Sequence, residues 1–185
     1  MKKFLVFTIF VLIALLSNNT AISQTYLNEL SGTYPFTQNI IKVWVEQPEY
    51  TGIVSDSLNE WRKAAGGCIN FRLVSKESIA DIKVYYRNTV INNGEKLNGL
   101  CTSYRYKGKR TRLAIAQIAL LNVNTNKPRS RDALFSTTTH ELGHALGLSG
   151  HSSDRNDIMY NYTNMIYGIY PSAKDYNTIR ALYCK

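Results

Sequence analysis

Apolar and polar positions along this chain predict a strand followed by a helix at the start of its folded part. Residues 39–46 alternate between apolar and polar side chains, which is the period of two expected of a half-buried strand. Residues 48–52 are then predicted to break the strand. Residues 56–65 carry apolar side chains at helical spacing and end at Gly66-Gly67, a pair that favours the end of a helix.

Further strands and two further helices are predicted downstream. The turn sequence Asn92-Asn93-Gly94 separates two groups of strands. Ser172 has the residue type and position of a helix N-cap, with Asp175 at the third helical position. Strands are predicted over residues 68–74, 80–86, 100–106 and 111–121, and helices over residues 132–146 and after residue 172. This order of elements is typical of an α+β domain.

The first residues form a separate segment. Lys2 and Lys3 precede an unbroken apolar run over residues 4–16, and small residues follow. This is the pattern of a secretory signal peptide over residues 1–23, with cleavage before Gln24. The run is too short to span a bilayer comfortably. We therefore expect an exported protein, secreted or periplasmic, with no membrane span.

The rest of the chain is long enough for one domain with a hydrophobic core. We assign residues 24–38 to an N-terminal segment and residues 39–185 to this domain. The chain has 22 basic and 13 acidic residues, and its formal charge of +9 falls to +7 when Lys2 and Lys3 are removed. A basic surface can favour anionic substrates or cell envelopes. Because these basic residues are mostly dispersed, we predict solubility and no nucleic-acid partner.

Three cysteines remain after removal of the signal peptide: Cys68, Cys101 and Cys184. In an exported protein one disulfide is expected, with one thiol left over. Three pairings are possible, and the sequence does not rank them.

All three histidines of the chain lie close together. His140 and His144 are four residues apart, so on a helix they project from one face. Glu141 follows the first of them directly, which completes the H-E-x-x-H pattern of zinc metalloproteases. Gly147 can then end the helix and turn the chain back, and His151 arrives from the returning loop. Three imidazoles are a complete protein ligand set for a catalytic zinc ion.

Met159 follows within Asn156-Asp-Ile-Met-Tyr160, and at this point the chain resembles the metzincin clan of zinc endopeptidases. It is most similar to the matrixin (matrix metalloproteinase-like) family. The resemblance implies that His140, His144 and His151 bind one catalytic zinc ion. It also implies that Glu141 is the general base and that Met159 lies in the methionine turn beneath the zinc.

The resemblance extends over most of residues 39–185, through Glu60-Trp61, Ala80-Asp81-Ile82 and the segment from residue 172 to residue 183. It implies a metzincin-like catalytic domain, with a twisted, mostly parallel sheet, an active-site helix and a C-terminal helix.

The chain departs from the family pattern in three respects. The family's third histidine falls where Gly150 stands here, and His151 comes one residue later. We keep His151 as the third ligand, with Asp154 or a water molecule as the alternative. The family's propeptide cysteine switch is missing, and no motif supports a calcium ion or a structural zinc.

The expected function is that of a secreted zinc-dependent endopeptidase, which hydrolyses peptide bonds through a zinc-bound water activated by Glu141. A protein or peptide substrate would bind in extended form to a sheet edge. Residues 100–106 are the candidate for that edge, with an ordinary inner strand as the alternative. A monomer is expected. The alternative function is a non-catalytic secreted zinc-containing binding module, which would have no need of Glu141.

Overall fold

The computed structural model describes residues 35–105, 112–160 and 170–184. The predicted signal peptide, most of the N-terminal segment and residues 106–111 lie outside these residues. The described strands are β1 (Ile40–Val45), β2 (Asn70–Leu73), β3 (Ile82–Arg87), β4 (Val90–Asn92), β5 (Glu95–Leu97), β6 (Gly99–Arg105) and β7 (Arg112–Ala119). The helices are α1 (Thr51–Ala64), α2 (Arg131–Leu146) and α3 (Ala173–Tyr183).

Five of these strands form one sheet in the order β2-β1-β3-β7-β6. The neighbours β2, β1, β3 and β7 run parallel, and β6 pairs antiparallel with β7. The prediction of a mostly parallel sheet in an α+β domain is therefore confirmed. Strand β6 lies at one edge of the described sheet, as expected of the strand over residues 100–106.

Strands β4 and β5 form a small separate hairpin. Its turn residues Asn93 and Gly94 have φ angles of 49° and 85°, which is the left-handed backbone that a two-residue hairpin turn requires. The predicted turn is thus confirmed, and the hairpin brings the chain to the start of β6.

One face of the sheet packs against α1 and α2 and forms the core. Ile41 and Val43 of β1 are fully buried there, together with Trp61 of α1. The indole Nε1 of Trp61 donates a 2.8 Å hydrogen bond to the Thr139 carbonyl oxygen. Trp61 therefore joins the two helices at the level of the histidine motif.

Helix α2 contains three consecutive threonines, which have poor helix propensity. Two of them are buried and bonded to other elements. The Thr138 hydroxyl lies 2.9 Å from the Tyr86 hydroxyl, and the Thr139 hydroxyl lies 2.9 Å from the Ser57 hydroxyl. These tertiary contacts offset the weak local preference for helix.

The first strand ends before residue 48, as predicted, but the predicted start of the first helix at residue 56 is wrong. A short 3₁₀ helix at Pro48–Tyr50 leads directly into α1, which begins at Thr51. Proline is tolerated in a first helical turn because its missing N–H needs no partner there. Burial of Ile53 and Val54 outweighs the cost of Gly52 in the helix.

The structure forms one disulfide, between Cys68 and Cys184, with 5.4 Å between their Cα atoms. Cys101 is a free thiol. The expectation of one disulfide and one remaining thiol is confirmed, and the pairing that the sequence left open is resolved. The bond ties the end of α3 to the chain just before β2.

Candidate metal centre

Helix α2 ends where the sequence predicts, at a glycine. Gly147 has a φ angle of 113° and lies in the left-handed region. Its N–H donates to the His144 carbonyl, and the N–H of Leu148 donates to the Gly143 carbonyl at 3.1 Å. This pair of bonds is the Schellman arrangement of helix ends. It reverses the chain so that the next residues return towards the two histidines of α2.

The three histidines meet in front of α2. The Nε2 atoms of His140 and His144 lie 3.1 Å apart, and those of His144 and His151 lie 3.2 Å apart. The extra residue at Gly150 is taken up in the loop, and His151 still reaches the other two. The structure thus brings all three predicted ligands together, with nitrogen atoms within 4.8 Å of one another.

Two of the imidazole rings are oriented by backbone carbonyls. The Nδ1 of His140 lies 2.6 Å from the Ile158 carbonyl oxygen, and the Nδ1 of His144 lies 2.5 Å from that of Leu148. A carbonyl can only accept, so each Nδ1 carries the proton and each Nε2 presents a lone pair. This is the outer-shell arrangement that prepares histidine for a metal ion.

Burial keeps these rings neutral. The pKa of His140 is lowered to about 4 and that of His144 to about 3, mainly by burial and in smaller part by the neighbouring imidazoles. The pKa of His151 is lowered by burial as well. Neutral imidazole is the form that binds a metal ion.

The donor set fits zinc. Tetrahedral zinc holds imidazole nitrogens at roughly 2.0–2.1 Å, so two such ligands stand roughly 3.3 Å apart. The Nε2 separations of 3.1 and 3.2 Å are close to that value. Three nitrogen ligands leave one position of a tetrahedral ion open, as in catalytic rather than structural zinc sites.

Glu141 is buried, with 6% of its surface exposed, and its carboxylate lies against the start of strand β6. A Cβ atom on Gly99 would lie 2.5 Å from the Glu141 Oε1, so only glycine leaves room for the carboxylate. The backbone N–H of Cys101 donates a hydrogen bond to it. Burial raises the pKa of Glu141 to about 8, and the bond from Cys101 opposes this rise. A raised pKa makes the carboxylate a stronger base near neutral pH.

Met159 is fully buried beneath the histidine helix. A Cβ atom on Gly143 would lie 2.5 Å from the Met159 Sδ and 2.7 Å from Cζ2 of Trp61. The turn that carries Met159 is closed by a 2.7 Å bond from the Ser152 N–H to the Met159 carbonyl. Met159 therefore forms an apolar floor, as the resemblance implied.

The start of α3 holds this turn from below. Ser172 caps the helix, and the buried Asp175 completes a capping box with it, as the sequence predicts. The same Asp175 Oδ2 accepts a 3.2 Å bond from the N–H of Ile158. Since the Ile158 carbonyl accepts from His140, Asp175 is joined to a predicted metal ligand through a single residue.

Arg112 also supports the site, and sequence reasoning missed it. Its guanidinium donates to the His144 carbonyl at 2.9 Å and to the Ser103 hydroxyl at 2.6 Å, and it lies over the Phe36 ring, 5.5 Å from its centre. No signal in the sequence places this residue beside a helix thirty residues away.

The alternative third ligand, Asp154, faces elsewhere. Its carboxylate accepts from the N–H of Asn156 at 3.0 Å and from Lys174 Nζ at 3.3 Å. Asp157 accepts from the Ser152 hydroxyl at 2.5 Å and so stabilises this turn. Residues 161–169 lie outside the described residues.

The mostly parallel sheet, the helix with two histidines, the returning third histidine and the buried methionine turn together define the metzincin class. The family model for matrixin matches residues 26–184. This match covers most of the chain, which therefore belongs to the matrixin family. The family is one of zinc metalloproteases.

A curated relative agrees with this assignment. Metalloendoproteinase 4-MMP of Arabidopsis thaliana is 26% identical over 132 residues, which is 69% of this chain and 38% of the relative. The match thus spans less than half of the plant protein. Its name describes a metalloendoproteinase, and that activity is carried to the present chain only as a proposal.

Proposed function

We propose that this protein is a secreted zinc-dependent endopeptidase. The observation that carries the proposal is the position of Glu141, a buried carboxylate beside three convergent imidazole nitrogens. Burying a charged carboxylate costs folding free energy. Its presence beside the imidazoles therefore favours a catalytic role. A module that bound zinc only for structure or recognition would have no use for this base.

The proposed ligands are His140, His144 and His151, and Zn²⁺ bound there would lower the pKa of a coordinated water and polarise the scissile carbonyl. Glu141 accepts a proton from the attacking water and delivers it to the leaving amine. The hydrogen bond from Cys101 holds the carboxylate in place between the two transfers. The carbonyls of Ile158 and Leu148 keep the rings of His140 and His144 oriented, and Arg112 holds the backbone of His144.

Strand β6 is the proposed binding edge for an extended peptide. The N–H of Ala119 donates to the Asn98 carbonyl at 2.8 Å, and hydrogen-bonded pairs alternate along an antiparallel ladder. The main-chain groups of Gly99, Cys101 and Ser103 therefore face away from β7. A substrate strand can pair by β-augmentation with the main-chain groups of Gly99 and Ser103 and with the Cys101 carbonyl, because Glu141 already accepts from the Cys101 N–H. This pairing would bring its peptide bonds past Glu141.

Export and domain boundaries are part of the proposal. The charged and apolar pattern of residues 1–23 supports a signal peptide, and the Cys68–Cys184 disulfide is typical of proteins from oxidising compartments. We assign residues 24–38 to an N-terminal segment and residues 39–185 to the catalytic domain. Within the described residues no helix is long and apolar enough to cross a bilayer. We expect a monomer.

The test is a paired measurement of zinc content and peptide cleavage on the exported protein. The wild type should hold about one zinc per chain and cleave casein or a peptide library, and Glu141→Gln should keep the zinc and lose cleavage. Full zinc content with no cleavage of any peptide would reject the peptidase and favour the binding module.

The third ligand needs its own test because it stands one residue late. His151→Ala and His144→Ala should both lower zinc affinity, whereas Asp154→Ala should not. If Asp154→Ala lowers zinc affinity as much as His144→Ala does, and His151→Ala leaves it unchanged, the assignment of His151 is wrong.

A further inference from the structure

Arg129 precedes α2 and connects the end of the sheet to that helix. Its Nη1 donates to the carbonyl oxygens of Asn98 and Ala119, at 3.2 and 3.1 Å. Its Nη2 donates to the Ala133 carbonyl at 2.9 Å and to the Thr137 hydroxyl at 2.5 Å. One planar group thus holds the residue before β6, the last residue of β7 and the first turns of α2.

All four acceptors are uncharged, and among the described residues no carboxylate forms an ion pair with Arg129. Burial lowers the pKa of Arg129 to about 10. Removing a guanidinium from water is costly unless its donors are satisfied. Here Nη1 donates to the sheet and Nη2 donates to α2. Arg129 therefore fixes the position of α2 relative to the sheet.

The residues that Arg129 holds lie close to Glu141 on both the sheet and the helix. Asn98 immediately precedes Gly99, against which the Glu141 carboxylate packs. Ala133 and Thr137 lie eight and four residues before Glu141 on α2. Residues spaced by four form one ridge along a helix. Arg129 therefore binds two residues of the ridge that also carries Glu141.

We propose that Arg129 is a positioning residue for Glu141. It sets the separation between the start of β6 and the Glu141 ridge of α2, and so holds the Glu141 carboxylate against the Cys101 N–H at the binding edge. Arg129 touches neither the predicted metal ligands nor the path of a substrate strand. Its catalytic consequence rests on the proposed peptidase function, whereas its effect on the position of Glu141 does not.

The clearance at this contact is small. A single added carbon on Gly99 would meet Glu141 Oε1 at 2.5 Å, so the strand cannot come closer. If it moves away, the bond from Cys101 is lost. Small displacements of a catalytic group can lower a rate by about a hundredfold. Holding the strand and the ridge at one distance is therefore the feature that Arg129 contributes.

The contact can be measured without any assay of activity. Because the Cys101 N–H faces the free edge and bonds to Glu141, its hydrogen exchange reports the position of the carboxylate. The N–H groups of Leu100 and Thr102 face β7 and serve as internal references. The Glu141→Ala variant gives the exchange rate of the Cys101 N–H when its bond to Glu141 is completely absent.

The variant to compare with the wild type is Arg129→Lys, which keeps the charge but cannot reach four acceptors in two directions. By amide-resolved NMR, Cys101 should exchange about tenfold faster, as expected for loss of a charge-assisted bond, while Leu100 and Thr102 keep their rates. Thr137→Val, which removes one of the four acceptors, should give a smaller change in the same direction.

The matched control is Arg180→Lys. Arg180 Nε also joins two elements, through a 2.9 Å bond to the Ala64 carbonyl of α1, but far from Glu141. Its replacement should leave the exchange of Cys101 unchanged. Unaltered exchange in Arg129→Lys, or equal acceleration in Arg180→Lys, would overturn the proposal.

Kinetics supply the second readout. In Arg129→Lys, kcat should fall about tenfold with KM and zinc content unchanged, because a base has been misplaced and no binding contact removed. A loss explained entirely by a smaller folded fraction would contradict the positioning role. If the zinc-loaded wild type cleaves no peptide while Cys101 exchange still responds to Arg129→Lys, the positioning stands and the peptidase function fails.

Discussion

Gly143 of the histidine helix lies directly on the thioether of Met159, with no space for a side chain between them. A Cβ atom at Gly143 would stand 2.5 Å from the Met159 Sδ. The glycine inside the H-E-x-x-H motif is therefore required by the methionine turn below it. Trp61, which would lie 2.7 Å from the same Cβ, closes the space from the side.

Replacement of Gly143 by alanine should destabilise the protein. Overpacking of a core costs about 1–3 kcal/mol, which outweighs the gain of about 1 kcal/mol in helix propensity. The matched control is Gly52→Ala in α1, where nothing lies within 4 Å of the added carbon, so this variant should be more stable. Chemical denaturation of the zinc-free proteins measures both. An equal gain in the free energy of unfolding of both variants would contradict the close contact between Gly143 and Met159.

Asp175→Asn should weaken zinc binding although the residue is no predicted ligand. Asp175 holds the N–H of Ile158, whose carbonyl orients His140, and loss of such an outer partner typically lowers metal affinity about 10–100-fold. Competition with a chromophoric chelator measures the affinity. Asp56→Asn, at an exposed ion pair with Arg131, is the control and should leave it unchanged.

Cys101 should react slowly with iodoacetamide in the native protein. Burial, assisted by the charge of Glu141, raises its pKa from 9.0 to about 12, and only the thiolate is nucleophilic. At pH 9 the native thiolate fraction is therefore about a thousandfold below that of the unfolded chain. Because the raised pKa favours the thiol, its contribution to stability is complete below pH 9 and is lost as the pH rises towards 12. Similar alkylation rates in native and unfolded protein would refute the assignment.

Removal of the disulfide should cost much of the protein's stability. Cys68 and Cys184 are separated by 116 residues, and the chain-entropy relation gives about 5 kcal/mol for a loop of that size. The double variant Cys68→Ser with Cys184→Ser should show this as a lower midpoint of urea denaturation. Cys101→Ala, which breaks no bond, is the control, and a comparable loss there would point to general damage rather than to the cross-link.

Local spacing predicts the parts of the site that lie on one helix. His140, Glu141 and His144 follow from the period of α2, and Gly147 follows from the need to reverse the chain. His151 is predicted because no other histidine competes, although it stands one residue late. These residues are close in sequence, so their geometry depends little on the rest of the fold.

The supporting contacts could not be predicted because they join distant parts of the chain. Gly99 makes room for Glu141 across more than forty residues, and Arg112 reaches His144 across more than thirty. The start of α1 was misplaced for a related reason, since tertiary burial of Ile53 and Val54 overrides the local signal of Pro48. Periodicity identifies elements, whereas their contacts depend on how the sheet orders its strands.

The free edge of β6 has a consequence for self-association. A strand edge that accepts a peptide can also accept the edge of another copy of the chain, which is a route to aggregation. The opposite edge, β2, is only four residues long and mostly exposed, and short edge strands resist such pairing. On β6 the outward N–H of Cys101 is already taken by Glu141. A second chain must displace that carboxylate to add fully, so the residue proposed as the base also guards the edge against unwanted partners.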